Sequence, residues 1–146
     1  MTANAGNNLT GRGKSVPEIL ALALGAIYLL IGIIGFFITG FGNFFEHTDK
    51  TLLGFEINGM HNVVHILIGL AGLVLARTLA GARTYGWLLA VVYGAAFVYG
   101  LFATGQVWDF LSLNWADNIL HLVTALVGLL IALLPVRSAV TGRASV

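Results

Sequence analysis

Four long stretches of this chain carry no charged residue: positions 19–45, 57–76, 84–108 and 118–136. A helix that crosses a bilayer needs about 20 consecutive, mostly apolar residues, and each stretch supplies them. Each is apolar all round, with no polar stripe at the 3.6-residue period that marks a surface helix of a soluble protein. Only 9% of the 146 residues are charged, against about 25% in a soluble domain. Such a chain cannot cover itself with a polar shell. With seven Lys and Arg against six Asp and Glu, it has no net field to attract nucleic acid. The absence of cysteine excludes disulfides, thiolate metal sites and cysteine nucleophiles.

The pattern predicts an all-α, integral membrane four-helix bundle. Its parts are a polar N-terminal tail (1–18), a first transmembrane hairpin (19–76, helices about Ile19–Gly40 and Gly59–Ala76) and a loop (77–84). A second hairpin (85–134, helices about Tyr85–Thr104 and Trp115–Leu134) and a C-terminal tail (135–146) follow. Helix 1 is too long for a signal-peptide core and no small-x-small site follows it, so it is expected to stay in the membrane. Arg12, Lys14, Arg77, Arg83, Arg137 and Arg143 fall in the two tails and the 77–84 loop, and only Lys50 falls elsewhere. By the positive-inside rule both termini are expected to be cytoplasmic in a multi-pass protein of the cell membrane. Glu46, Asp49, Glu56, Asp109 and Asp117 then lie towards the outer side and Glu18 towards the inner. Glu46, His47, Asp49 and Glu56 read as a solvated outer loop. Trp108, Trp115, Phe44, Phe45 and Phe110 read as an outer aromatic belt, and Tyr85 with Trp87 as an inner one.

The chain also resembles itself. Offsetting by 56 positions lays Asn58–Ala76 over Asn114–Ala132 and matches Asn58/Asn114, Asn62/Asn118, His65/His121, Gly72/Gly128 and Ala76/Ala132. An offset of 65 lays Leu24–Gly40 over Leu89–Gly105 and matches Tyr28/Tyr93, Gly35/Gly100, Thr39/Thr104 and Gly40/Gly105. A two-helix unit repeated in tandem keeps its orientation, so the hairpins are expected to be related by an axis along the membrane normal, with matched residues at one depth. Small residues recur at Ala21/Gly25, Gly32/Gly35, Gly69/Gly72, Ala96/Gly100 and Ala125/Gly128, spacings that let membrane helices approach closely or meet a partner subunit.

The polar residues near the hydrocarbon concentrate in helices 2 and 4. His61 and His65 share one face, four residues and about 6 Å apart; the repeat sets Asp117 and His121 opposite them, with Asn62 and Asn118 alongside. Ionisable groups at such depth tend to face the bundle interior and mark a site by default. Three readings stay open. In the first, Asn58, Asn62, Asn114 and Asn118 form a structural polar network that caps helices and bonds across the bundle. In the second, His61, His65, Asp117 and His121 bind a transition metal, as carboxylate–histidine sites in bundles do. In the third, His65 and His121 are axial ligands of a b-type haem.

The segments HNVVHILIGLAGLVLART, GAR, VVYGAAFVYGL and LNWADNILHL resemble a bacterial four-helix membrane family, domain of unknown function 4383, over about Gly25–Leu134. The family's polar pattern falls on His61, Asn62, His65, Asp117, Asn118 and His121; Ile119 stands where the family often has tryptophan. The resemblance implies the fold and brings no activity with it. There is no GxSxG and no phosphate-binding glycine loop. The expected role is a structural or accessory subunit of a larger membrane complex in the bacterial inner membrane, with lipid, other subunits or copies of itself as partners. In that reading no cofactor is needed. The alternative is a metal- or haem-binding redox protein, and a small-solute transporter is third.

Overall fold

Each helix begins where a polar side chain can take up its unpaired N–H groups. In the computed structural model, which describes residues 13–42 and 44–136, helix α1 spans Val16–Thr39. The Glu18 carboxylate accepts hydrogen bonds from the Ser15 backbone N–H (2.8 Å) and hydroxyl (2.6 Å). A negative charge in the first turn suits a helix N-terminus, and the helix therefore starts earlier than the expected Ile19. Asn58 caps α2 (Gly59–Leu75) by accepting from the His61 N–H at 2.9 Å. Thr78 caps α3 (Leu79–Ala103) by accepting from Gly81 at 3.0 Å. At α4 (Trp115–Leu133), Asn114 accepts from the Asp117 N–H, and Asp117 Oδ2 accepts from the Asn114 N–H, both at 3.0 Å.

The start of α3 corrects the expected 77–84 loop. Only Arg77 and Thr78 remain as a turn, because the Thr78 cap lets the helix form through Gly81 and Arg83. Arg12, Arg137 and Arg143 lie outside the described residues, as does most of both tails.

Consecutive helices pair antiparallel, α1 with α2 and α3 with α4, and the contacts within each pair far outnumber those between pairs. Glycines set the approach. A methyl group on Gly86 of α3 would lie 2.6 Å from the Ala132 nitrogen and the Gly128 oxygen of α4. One on Gly25 of α1 would lie 2.8 Å from the Leu73 nitrogen of α2. Lysine and arginine close three helix C-termini, where carbonyls lack partners. Lys14 Nζ donates to the Ala76 carbonyl beyond α2 (3.2 Å), Arg83 Nη2 to Leu134 beyond α4 (3.3 Å), and Lys50 Nζ to Thr39 ending α1 (2.9 Å).

At the Lys50 end the two connecting segments form a cap. Strands β1 (Thr51–Leu52) and β2 (Phe55–Glu56) make a short antiparallel hairpin. Its two turn residues, Leu53 (φ 55°) and Gly54 (φ 92°), both have positive φ, as a tight two-residue hairpin loop demands. The surface of the bundle is apolar: Leu30, Phe37, Leu67, Val91 and Leu133 are among many large side chains left exposed on the helices. Three helices, α1, α3 and α4, are long and apolar enough to cross a membrane. Helix α2 has 17 residues and rises about 26 Å, short of the ~30 Å hydrocarbon core. It matches the expected Gly59–Ala76 to within one residue, with Asn58 as its N-cap and Ala76 as its C-cap.

Candidate functional site

The polar residues singled out by sequence turn inward. Asn58, His61, Asn62, His65, Asp117, Asn118 and His121 are all buried, none more than 5% exposed, and Asn114 is half-buried. Apolar helices pack their few polar groups against one another because lipid offers them no partner.

Two asparagines lock the helix pairs in matching ways. Asn62 Nδ2 donates to Thr39 Oγ1 (2.9 Å), tying α2 to the end of α1. Asn118 Nδ2 donates to Thr104 Oγ1 (2.8 Å) and the Gly100 carbonyl (3.2 Å), tying α4 to the end of α3. Each amide oxygen rests against a glycine, Gly35 or Gly100, where any side chain would collide with it. The other two asparagines fasten the cap. Asn58 Nδ2 donates to the Glu46 (3.0 Å) and Phe110 (2.8 Å) carbonyls, and Asn114 Nδ2 to Gly54 (2.9 Å).

Between the helix pairs lies a cluster of rings. His61 and His65 have centroids 4.5 Å apart, and His61 lies 6.1 Å from His121. Tyr28 lies tilted against His65 (5.1 Å) and Tyr93 against His121 (5.5 Å), and the two tyrosines lie 5.1 Å apart. The Tyr28 and Thr124 hydroxyls share a 2.6 Å hydrogen bond across the bundle. His61 Nδ1 faces the Leu111 carbonyl at 3.1 Å, and the Glu56 carbonyl also borders the ring. Asp117 Oδ2 accepts a second backbone bond, from Glu56 at 3.2 Å. Nδ1 of His65 and Nδ1 of His121 are buried and have no hydrogen-bond partner. One ligand atom each from His61, Asp117 and His121 lie within 4.8 Å of one another. His65 stands beside this trio rather than in it.

A bis-imidazole haem on His65 and His121 would need an open slot between them. Tyr28, Tyr93 and His61 fill that space, so these residues do not fit a porphyrin. Beside the rings lies a cavity of about 20 Å³ bounded by Tyr28, Leu52, Phe55, Ile57, His65 and Asp117 among others.

Several polar residues of the cap were not picked out by sequence. Asp109 is buried, its carboxylate accepting from the Leu111 (3.2 Å) and Leu113 (2.7 Å) N–H groups and the Tyr99 hydroxyl (3.3 Å). The Ser112 hydroxyl, also buried, bonds to the Thr48 N–H (3.0 Å) and carbonyl (3.1 Å), joining the two connecting segments. Of the residues expected in a solvated loop, Glu46, His47 and Asp49 are exposed and Glu56 is half-buried, with His47 and Glu56 paired near the surface at 3.6 Å. Tyr85, expected in an inner aromatic belt, is fully buried beside Gly72 because that glycine leaves room for its ring. Trp87 stays exposed.

A family model described as a domain of unknown function (DUF4383) matches residues 18–134. The chain belongs to that family. Comparison with the curated proteins and with the solved structures returned no match. The matched span covers α1 from Glu18 onward, the other three helices and the cap between them, so the buried histidines, asparagines and Asp117 all lie within the family domain.

Proposed function

We propose that this chain is a small, non-catalytic membrane protein that acts through its helix faces, as a structural or accessory subunit of a larger inner-membrane assembly or of its own oligomer. The observation that carries the reading is the inverted distribution of polarity. The polar side chains of the helices are drawn into a capped interior whose cavity has room for about one water, while large apolar side chains cover the outside. A groove of about 180 Å³ between α1 and α4, lined by Leu24, Ile27, Ile31, Leu120, Val123 and Val127, adds an apolar seam suited to a lipid chain or a neighbouring helix. In this reading the two hairpins are copies of one unit, both termini are cytoplasmic, and the cap faces outward.

Extraction from native membranes into polymer-bounded lipid discs, followed by mass measurement of the intact particles, tests the role. The expected result is a defined assembly that contains other membrane subunits or several copies of this chain. A particle holding a single copy and nothing else, across several extraction conditions, overturns it.

A further inference from the structure

We propose that His61, Asp117 and His121 form a binding site for one divalent transition-metal ion of the zinc class, with a water molecule as the remaining ligand. The three ligand atoms, from helices α2 and α4, already converge to within 4.8 Å of one another. Metal–nitrogen and metal–oxygen bonds of about 2.0–2.2 Å at tetrahedral angles hold two ligand atoms roughly 3.3–3.6 Å apart, so side-chain rotation that closes the trio by roughly an ångström completes the set. Two imidazoles and a carboxylate are the donors that zinc and its first-row neighbours prefer, whereas magnesium and calcium take oxygen.

The surroundings have the form that such ligands need. A ligating histidine holds its tautomer by donating its other N–H to a carbonyl or carboxylate. His61 Nδ1 faces the Leu111 carbonyl at 3.1 Å, and a proton held there leaves the lone pair of the ring on Nε2 for the ion. The backbone bonds to Asp117 both fall on Oδ2, so Oδ1 is the oxygen turned over to an ion. The buried Nδ1 of His121 finds no protein partner, a costly state in a low-dielectric core that an ion or its bound water relieves. Asp117 and His65 both line the 20 Å³ cavity. It admits about one water, and His65, whose Nδ1 is also unpartnered, is the side chain placed to hydrogen-bond it. Three protein ligands and one open position distinguish such a site from a closed structural one.

The test uses the full chain in mild detergent, carried on a tag without histidines and stripped with a chelator. Titration with Co²⁺, whose visible absorption reports histidine and carboxylate ligation, is followed by competition with Zn²⁺. One Co²⁺ is expected per chain, with a visible band that Zn²⁺ abolishes and a thermal midpoint that rises with metal. His61→Ala and His121→Ala should each weaken binding by more than about 100-fold, beyond the ~10–100-fold that loss of an outer partner costs. His65→Ala should fall within that smaller range, and His47→Ala should bind as wild type does. Retention of iron or copper in place of zinc supports the same site. A wild-type chain that gives no visible band and no thermal shift overturns the proposal whether or not the variants fold. So does binding that survives both His61→Ala and His121→Ala.

Discussion

Asn62 and Asn118 show how one side chain can fix the register of two membrane helices. Each amide donates to a threonine hydroxyl on the partner helix and lays its oxygen on a glycine that has no side chain to keep it away. Contact of this kind brings a Cα–H group against the oxygen, a weak attraction that adds to the stronger N–H bond. Hydrogen bonds between membrane helices contribute on average about 0.6 kcal/mol, up to about 1.7. Double-mutant cycles with Asn62→Ala and Thr39→Val, and with Asn118→Ala and Thr104→Val, should therefore each give a coupling of about 0.6–1.7 kcal/mol. Reversible unfolding in detergent measures it, and a coupling near zero in both pairs would show that these amides are bystanders. The inward-facing histidines and asparagines were legible in the sequence because helical spacing puts positions 61, 62 and 65, and 117, 118 and 121, on neighbouring faces. The thresholds set by distance were not legible. Spacing alone made His65 a metal ligand equal to His61, whereas the fold turns it towards Tyr28 and the cavity.

At the scale of elements, each hairpin is a pair of helices brought together at glycines, and the two pairs meet through larger side chains such as Tyr28, Tyr93 and Leu89. Gly86→Ala would drive a methyl group into the α4 backbone. Since backbone cannot move aside as a flexible side chain can, the substitution should destabilise the α3–α4 pair by about 1–3 kcal/mol. Gly94→Ala, in the same helix with open space around it, should leave stability unchanged or slightly raised, because alanine is the better helix former. Thermal unfolding of the two variants side by side checks the contrast; equal effects would mean that glycine here serves something other than close approach. Helix existence was readable from the uncharged stretches, but two features of the connections were not. Arg77 and Arg83 made 77–84 look like a loop, since charge alone does not reveal that Thr78 caps a helix and that Arg83 reaches the Leu134 carbonyl from inside it. The β1–β2 hairpin has two-residue strands, too short for alternation to register, and its turn is Leu53–Gly54 rather than an Asn-Gly pair. Asp109 and Ser112 were missed for a related reason: their partners are loop backbone groups, which no side-chain periodicity announces.

For the whole molecule, the two ends differ in kind. One carries Lys14, Arg77 and Arg83 beside exposed helix termini; the other is closed by the hairpin, Asp109, Ser112 and the asparagine caps. Basic residues near short connections remain on the cytoplasmic side during insertion, so the Lys14–Arg83 end should face the cytoplasm and the cap should face out. Lys50, the one lysine at the capped end, donates to the Thr39 carbonyl that ends α1, which gives its charge a local use against the general bias. The chain lacks cysteine, so single cysteines can report orientation without background. Val107→Cys and Leu53→Cys occupy exposed points of the cap, and Thr84→Cys lies on an exposed turn near the opposite end of α3. In intact cells a membrane-impermeant maleimide should label the first two and leave the third untouched until the membrane is opened. The reverse pattern would place the cap in the cytoplasm, against the distribution of basic residues. Labelling of all three in intact cells would mean that the helices do not hold one fixed orientation, and the argument from charge would fail with it.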